Sequence, residues 1–306
     1  MHRTLDLSVP AQATDGLLAA LARLEDVIGL GVHRGASVKP PGDVIVVHVL
    51  NRGADEVLRL AGEVGPEVSV VTAETSSIID PRHGARVEND VDEAIWEEVE
   101  TGLRHQGRIT PNFLALMALG GVLGAVGMVS EGAPQALAFV AASIITPGFE
   151  PIVKIALGAA LGRGNVVRRG LRSTLAGYAV FVLVAGLTFL LLRAAGSATI
   201  REFTENTELA RLASPGGKDL LFSVVGALSG AVIMASYRRS VIAGALVALV
   251  LIPSAASVGL ALSIGRLDLA RQGLERFGLD ALLVVVLGWA VFAVKQRTVH
   301  RRGPLV

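Results

Sequence analysis

The sequence of 306 residues contains no cysteine. Disulfides, zinc–thiolate sites, iron–sulfur clusters and cysteine catalysis are therefore excluded. The six histidines are scattered without metal-ligand spacing, so we expect no metal site and no cofactor. A phosphate-binding P-loop, HExxH and GxSxG are all missing, so we expect no catalytic residue and no enzymatic activity. Aromatic residues make up only 4%, without a basic–aromatic pattern, which argues against a nucleic-acid partner.

Charged residues are also scarce, at 18% of the chain, whereas soluble domains carry about 25%. Hydrophobic residues reach 52%, which indicates a membrane protein with the lipid bilayer as its partner. The charges are divided unevenly. Residues 1–108 carry 10 basic and 18 acidic side chains, and residues 109–306 carry 18 basic and 9 acidic ones. This asymmetry predicts two bodies in different environments.

The first body covers residues 1–82 and alternates between strand and helix patterns. Strand patterns occur at residues 4–9, 28–33, 44–50 and 68–72, and helix patterns at residues 14–27 and 55–64. The order β-α-β-β-α-β predicts a small α+β ferredoxin-like domain. The start of the chain has no long apolar run of the signal-peptide type, so we expect this domain in the cytoplasm.

Residues 83–109 connect this domain to the rest of the chain. Seven acidic side chains surround apolar positions spaced every four residues from Val87 to Leu103. This spacing predicts one amphipathic helix with an acidic face over residues 87–104. Two interpretations remain open: a solvated connector that packs on a partner, and a face that senses cations or docks a partner.

Residues 110–296 contain long charge-free runs, and about 20 apolar residues span a bilayer. We predict an α-helical polytopic domain of six transmembrane helices, near residues 111–130, 134–162 with a break at 147–151, 173–193, 220–237, 240–264 with a break at 253, and 278–295. Lys and Arg number twelve on one side of these helices and seven on the other. The positive-inside rule then predicts a multi-pass protein of the cell membrane with both termini cytoplasmic, including a basic tail at 297–306.

The membrane region matches itself at an offset of 106 residues, with eight identities among 29 aligned positions. Each copy would hold three helices, an odd number, so the match predicts an inverted 3+3 repeat with broken helices. Chance similarity between apolar helices is the alternative. Small-xxx-small glycine motifs predict close helix packing in a bundle or a homo-oligomer. These glycines are Gly120, Gly124, Gly158, Gly162, Gly226 and Gly230.

The most informative segment lies around two prolines, Pro147 and Pro151, which cannot both sit inside one regular helix. Glu150 and Lys154 are the ionisable residues there, and charges inside a membrane are functional candidates by default. Three readings remain open: an ion or substrate site, a locked Glu150–Lys154 pair, and a position in the cytoplasmic interface. The candidate pathway residues are Thr146, Pro147, Gly148, Phe149, Glu150, Pro151 and Lys154, with Pro253, Ser254 and Ser257 in the second copy.

The segment Ala141-Ala142-Ser143-Ile144-Ile145-Thr146-Pro147-Gly148-Phe149-Glu150-Pro151-Ile152 resembles the bacterial "uncharacterised hydrophobic domain" family, domain of unknown function 389 (DUF389). A second family-like segment surrounds Pro253, and the resemblance covers roughly residues 110–295. It implies a polytopic membrane protein, often with a soluble N-terminal domain, whose biochemical role is not established. The chain departs from the family pattern at Glu150, where glycine is usual, and at Ser254, where many members have proline.

Taken together, these features predict a transporter or channel-like permease for a small solute or ion. Its pathway would lie at the broken helices, and the cytoplasmic domain would regulate it or mediate oligomerisation. The alternative is a non-transporting membrane scaffold or receptor whose N-terminal domain binds a ligand or partner.

Overall fold

The computed structural model describes residues 2–75, 77–236 and 241–300. The chain divides into two compact units. The first unit contains the chain up to Glu98 together with residues 236 and 297–300. The second contains the remainder of the described chain between Val99 and Gln296.

The first unit includes an antiparallel four-stranded sheet with two helices, which we call the sheet domain. Its elements are β1 (His2–Val9), α1 (Ala11–Leu21), β2 (Val27–Val38), β3 (Pro41–Leu50), α2 (Asn51–Val64) and β4 (Ser69–Thr75). The strand order is β2-β3-β1-β4, and every neighbouring pair is antiparallel. This is the arrangement of the split β-α-β unit, and its element order is the one that the sequence predicts.

The core of this unit follows from alternation along the strands. Leu5, Leu7 and Val9 are buried at every second position of β1, because successive side chains of a strand point to opposite faces. Side chains of α2, including Val57 and Leu58, join the same cluster. The apolar face of the sheet is therefore covered by helices of its own unit.

One charged residue, Arg3, lies fully buried in this unit. Its guanidinium donates to Glu98 Oε2 at 2.8 Å and to the Glu93 carbonyl at 3.3 Å, and it also bonds the Asn51 side chain. A buried charge must be paired to be tolerated. Arg3 therefore ties β1 to the start of α2 and to the segment that follows the sheet.

The C-terminal end of the described chain also belongs to this unit. His300 Nδ1 lies 2.5 Å from Asp55 Oδ2. The His300 ring is 4.5 Å from the Trp96 ring, centroid to centroid. Trp96 is 1% exposed. This aromatic contact therefore lies in the interior, and it joins residues 204 positions apart in the sequence.

The carboxylate of Asp43, near the start of β3, makes the stability of this unit depend on pH. It accepts from the Gly35 N–H at 2.7 Å, from the Thr14 hydroxyl at 2.7 Å and from Arg34 at 3.1 Å. These bonds, the Gly35 amide first and then Thr14, lower the pKa of Asp43 below its ordinary value near 4.

A carboxylate whose pKa is lowered on folding stabilises the fold above its ordinary pKa, and that stability is lost as the pH falls through the lowered value. We therefore expect Asp43→Asn to lower the melting temperature at pH 6 and to lower it less at pH 3. Thermal unfolding of the full-length protein at both pH values measures the difference. Asp15→Asn is the matched control, since Asp15 also contacts Arg34 but is 83% exposed. An equal difference in melting temperature between the wild-type protein and Asp43→Asn at pH 6 and at pH 3 would contradict the expectation.

The single acidic helix predicted for residues 87–104 is wrong. The structure has two helices, α3 (Gly84–Glu88) and α4 (Trp96–Gln106), with a non-helical segment between them. Asp90 in that segment accepts from the Asn51 N–H at 2.6 Å and pairs with Arg52 at 3.3 Å. These tertiary bonds to the N-terminus of α2 outweigh the helical spacing of the apolar residues.

The second unit is helical. Its elements after α4 are α5 (Pro111–Met128), α6 (Gly132–Ile145), α7 (Phe149–Ala160), α8 (Gly164–Ala194), α9 (Ile200–Thr204), α10 (Thr207–Ala213), α11 (Gly217–Ala235), α12 (Val241–Ser263) and α13 (Leu267–Thr298). Among the described residues, α5, α8, α11 and α13 are each long and apolar enough to cross a membrane. Helices α6 and α7, bent by 53° at a short break, make a fifth span if counted as one. Within the described residues, four or five spans thus stand where the sequence predicted six. The predicted span 240–264 begins at a residue outside them, and α12 contributes a shorter apolar segment, Leu249–Ser263.

The predicted break at Pro253 is wrong, because α12 continues through it. The Ser254 hydroxyl donates to the Leu251 carbonyl at 2.9 Å, and the Ser257 hydroxyl donates to the Ser254 carbonyl at 2.8 Å. A proline inside a membrane helix is tolerated where neighbouring helices and serine side chains satisfy the backbone groups around it. The carbonyl that loses its helical partner at Pro253 is that of Leu249, so the two serine bonds lie beside the proline and do not replace the lost bond.

The predicted packing glycines have different roles. A Cβ on Gly124 would lie 2.9 Å from the Phe181 ring, and one on Gly158 would lie 2.8 Å from the Val167 nitrogen. Both glycines therefore sit at close contacts. Gly226 and Gly230 are buried in α11. Gly162 differs: its φ of +67° places it in the turn after α7, with nothing within 4 Å of a Cβ. Its role is conformational.

Candidate functional site

The break between α6 and α7 follows from its two prolines. Thr146 ends α6 in an extended conformation (φ −85°, ψ 115°), because the residue before a proline is pushed out of the helical region. Pro151 lies in the first turn of α7, where its missing N–H costs no helical hydrogen bond. The chain therefore bends by 53° while both halves remain helical.

Three polar side chains around this break have a buried atom without a hydrogen-bond partner: Thr146 Oγ1, Glu150 Oε2 and the Tyr178 hydroxyl. We call these residues the break cluster. Thr146 is 5% exposed and Tyr178, on α8, is 6% exposed. Leaving a buried polar atom unpaired costs about 1–3 kcal/mol, so folded proteins rarely do so without a reason.

Two glycines let these groups approach the backbone. A Cβ on Gly148 would lie 2.5 Å from the Tyr178 hydroxyl. A Cβ on Gly120, in α5, would lie 2.0 Å from Thr146 Oγ1. Gly120 was predicted as a helix-packing residue, and the structure shows that the group it admits is a polar side chain of the break.

The chemistry of the break cluster is that of a small polar site. A carboxyl group and two hydroxyls provide both donors and acceptors. Glu150 also stands in the first turn of α7, where the partial positive charge of the helix terminus favours an anion. Such a set is able to hold a partly dehydrated ion, a polar solute or a proton.

The Glu150–Lys154 ion pair is not formed. Among the described residues, no salt bridge within 4.0 Å joins these two side chains. Lys154 is 3% exposed, and the charges that act on it belong to Glu100, Arg104 and Arg169. Glu100 itself pairs with Arg163, at 3.0 Å. Lys154 therefore belongs to a separate charged group beside α4.

The candidate residues around Pro253 separate into two environments. Ser254 and Ser257 are fully buried and bond their own helix. A Cβ on Gly273 of α13 would lie 2.3 Å from Ser257 Oγ, so this serine lies at the contact between α12 and α13. Pro253 lines a cavity of about 460 Å³ bounded by α6, α10, α11, α12 and α13. We call it the Arg276 cavity.

The burial of Arg276 at this cavity was not predicted from the sequence. The predicted last helix begins at residue 278, which leaves Arg276 in the preceding loop. In the structure α13 begins at Leu267, so Arg276 and Asp280 both lie inside it. Arg276 Nε donates to Asp280 Oδ2 at 2.9 Å. Ser223 of α11 donates to Asp280 Oδ1 at 2.9 Å and accepts from Arg276 Nη2 at 2.8 Å. The i, i+4 spacing of opposite charges was the available signal.

An aromatic contact connects the two regions. The Phe277 ring, next to Arg276 in α13, lies 4.5 Å from the Tyr178 ring in an edge-on arrangement. Tyr178 belongs to the break cluster, and Arg276 lines the cavity. One helix, α13, therefore contacts the break cluster and the cavity through consecutive residues.

Comparison with known proteins agrees with the resemblance inferred from the sequence. Residues 143–286, from the end of α6 into α13, match the profile of the family described as "Domain of unknown function (DUF389)". No curated protein and no solved structure matches the chain. The matched range contains Glu150, Tyr178 and Pro253, and also Arg276 with its partners. Residues 143–286, just under half of the chain, thus match the DUF389 family, which supports the resemblance seen in the sequence over roughly residues 110–295.

Proposed function

We propose that the protein is a transporter or channel-like permease for a small solute or ion. The observation that carries the proposal is the break cluster: three unpartnered polar atoms at an interrupted helix between apolar spans. Irregular backbone at membrane depth is tolerated only where protein buries it or where it lines a cavity. Transport proteins commonly place their binding sites at such interruptions.

In this proposal α12 is the sixth span, and each set of three spans is one copy of an inverted repeat. The prolines Pro147 and Pro253 occupy matching positions of the two copies. Only the first interrupts its helix, while the second lines the Arg276 cavity. The path would run from that cavity, past the Tyr178–Phe277 contact, to the break cluster.

We also propose that the protein lies in the cell membrane with both termini cytoplasmic. His300 and the N-terminal sheet belong to one compact unit, which supports placing the two ends of the chain on the same side. The positive-inside count then favours the cytoplasm for that side. The sheet domain would regulate the pathway, and a homo-oligomer remains our expectation for the assembly.

Flux through reconstituted protein tests the proposal. We expect jumps of chloride, phosphate, acetate, benzoate or proton concentration to drive a current in proteoliposomes on a solid-supported membrane for at least one probe. Glu150→Gln should lower that current about tenfold or more, because a hydrogen bond to a charged group is worth about 1.5–3 kcal/mol.

Glu131→Gln is the matched control, since Glu131 is an exposed residue just before α6 and lies outside the break cluster. It should leave the current unchanged. A folded, monodisperse protein that carries no current for any probe would overturn the proposal and favour a non-transporting scaffold or receptor.

A further inference from the structure

We propose that the Arg276 cavity binds an organic anion, namely an oxyanion group carried on a small apolar body. Binding at this cavity does not require transport. Where the proposed function holds as well, the inference names the class of its substrate.

The charges that line the cavity favour an anion. Three cationic side chains, Arg211, Lys218 and Arg276, face two acidic ones, Glu208 and Asp219. Burial raises the pKa of Glu208 above its ordinary value. Asp219 Oδ2 already accepts from the Gly216 N–H at 2.9 Å. By formal charge the lining residues thus carry three cations against two carboxylates, and Asp280, which pairs with Arg276, is not among them.

Arg276 supplies a built binding group at this cavity. The residue is only 7% exposed, and two of its nitrogens are committed, Nε to Asp280 and Nη2 to Ser223. Its third nitrogen, Nη1, is buried without a partner. Arginine is suited to oxyanions because its planar guanidinium presents several donors in a fixed geometry. Because Nη1 has almost no exposed surface, a ligand oxygen would reach it only after a small shift of the lining side chains, and would then complete the guanidinium.

The rest of the lining explains why the anion should carry an apolar body. Phe139, Phe222 and Leu249 line the same cavity as the cations. Strongly hydrated inorganic anions gain nothing from such a wall, whereas an aromatic or short aliphatic body buries apolar surface there. The volume of about 460 Å³ lies within the usual range for small-molecule pockets, about 300–1,000 Å³.

A cation is the poorer fit. The most buried carboxylate nearby, Asp280, is held by Arg276 and Ser223. Glu208 has Arg211 at 3.7 Å. No group of three or more His, Asp or Glu side chains placed to hold a metal ion occurs among the described residues.

Calorimetry on the full-length protein in a neutral detergent tests the inference, with benzoate as the anionic probe and benzyl alcohol as its neutral counterpart. We expect benzoate to bind and benzyl alcohol to bind about tenfold more weakly or not at all. Equal binding of the two probes, or no binding of benzoate, would overturn the inference.

Variants locate the site. The double substitution Arg276→Gln with Asp280→Asn removes both buried charges together, so neither is left uncompensated, and should weaken benzoate binding about tenfold or more. Lys218→Gln, at an exposed lining position, should weaken it less and provides a second variant if the double one fails to fold. Arg271→Gln is the matched control, because Arg271 is an exposed arginine of α13 outside the cavity. Unchanged affinity in both the double variant and Lys218→Gln would refute the site.

Benzoate binding measured in nanodiscs of different lipids distinguishes an anionic lipid headgroup from a soluble acid as the natural ligand. Competition of benzoate binding by phosphatidylglycerol, but not by phosphatidylcholine, would assign the site to an anionic lipid headgroup. Benzoate binding that is equal in both lipids would assign it to a soluble acid. Benzoate binding without any current would support this inference and contradict the proposed function. A current that does not change when Arg276 or Lys218 is substituted, in a protein that binds no benzoate, would support the proposed function and contradict this inference.

Discussion

Replacing Gly259 with valine is expected to destabilise the helical unit severely. A Cβ at this position of α12 would lie 2.3 Å from the Val182 carbonyl oxygen of α8. The contact is reciprocal, since a Cβ on Gly186 of α8 would lie 2.7 Å from the Gly259 carbonyl oxygen. Both obstacles are backbone atoms, so no side-chain rotation relieves them and the two helices must separate.

Overpacking of a core typically costs about 1–3 kcal/mol, and we expect Gly259→Val to exceed this range because backbone must move. Thermal unfolding and size-exclusion chromatography of the detergent-solubilised protein measure the effect. Gly278→Val is the matched control, because Gly278 also lies in a membrane helix, α13, but has nothing within 4 Å of a Cβ. Equal melting temperatures for the two variants would show that α8 and α12 do not pack at Gly259.

The second large effect is expected in the sheet domain, for Arg3→Met. Methionine approximates the length of the arginine stem but leaves the Glu98 carboxylate and the Asn51 side chain without their buried partner. Breaking a buried ion pair by removing one member costs about 3–5 kcal/mol. Amide hydrogen exchange in β1 and β3 of the full-length protein should then accelerate by a factor of about a hundred to a few thousand.

Arg59→Met provides the comparison within the same domain. Arg59 forms pairs with Glu56 and Glu63 on the surface of α2, and its side chain is 41% exposed. Exposed pairs of this kind contribute about 1 kcal/mol or less, so the exchange of the sheet should change little. Exchange that responds equally to both substitutions would mean that Arg3 contributes no more than a surface charge.

Local sequence patterns were enough to predict the sheet domain and the interrupted helix. Alternation in β1 and the glycine- and proline-rich turns between elements depend on neighbouring residues alone. The same holds at Thr146 and Pro147, where the steric restriction is between adjacent residues. Such features can be predicted without knowing which other helices and strands pack against them.

The wrong predictions have a common cause. In each case the observed structure depends on a partner far along the chain or on bonds that only the folded structure reveals. Asp90 leaves the helical pattern because the N-terminus of α2 binds it. Pro253 lies inside α12, although a proline removes one helical hydrogen bond and the sequence alone therefore favours a break there. Arg276 was assigned to a loop because a charge usually ends a span, and only Asp280 with Ser223 makes its burial possible.

The candidate site was predicted only in part, for the same reason. The interrupted segment and Glu150 were identified from the sequence, and a pairing with Lys154 was weighed as one alternative. Nothing local indicates that Tyr178, 28 residues after Glu150, completes the break cluster. Spacing within a helix shows which side chains share a face, but the neighbouring helix decides which of them meet.

The contact between Trp96 and His300 has a consequence for biosynthesis. The ribosome produces β1 to β4 first, yet the imidazole that packs on Trp96 emerges only after α13 has been made. The sheet domain therefore reaches its complete set of contacts after the apolar helices have been translated. A nascent chain arrested before His300 would lack the contacts of His300 with Trp96 and Asp55.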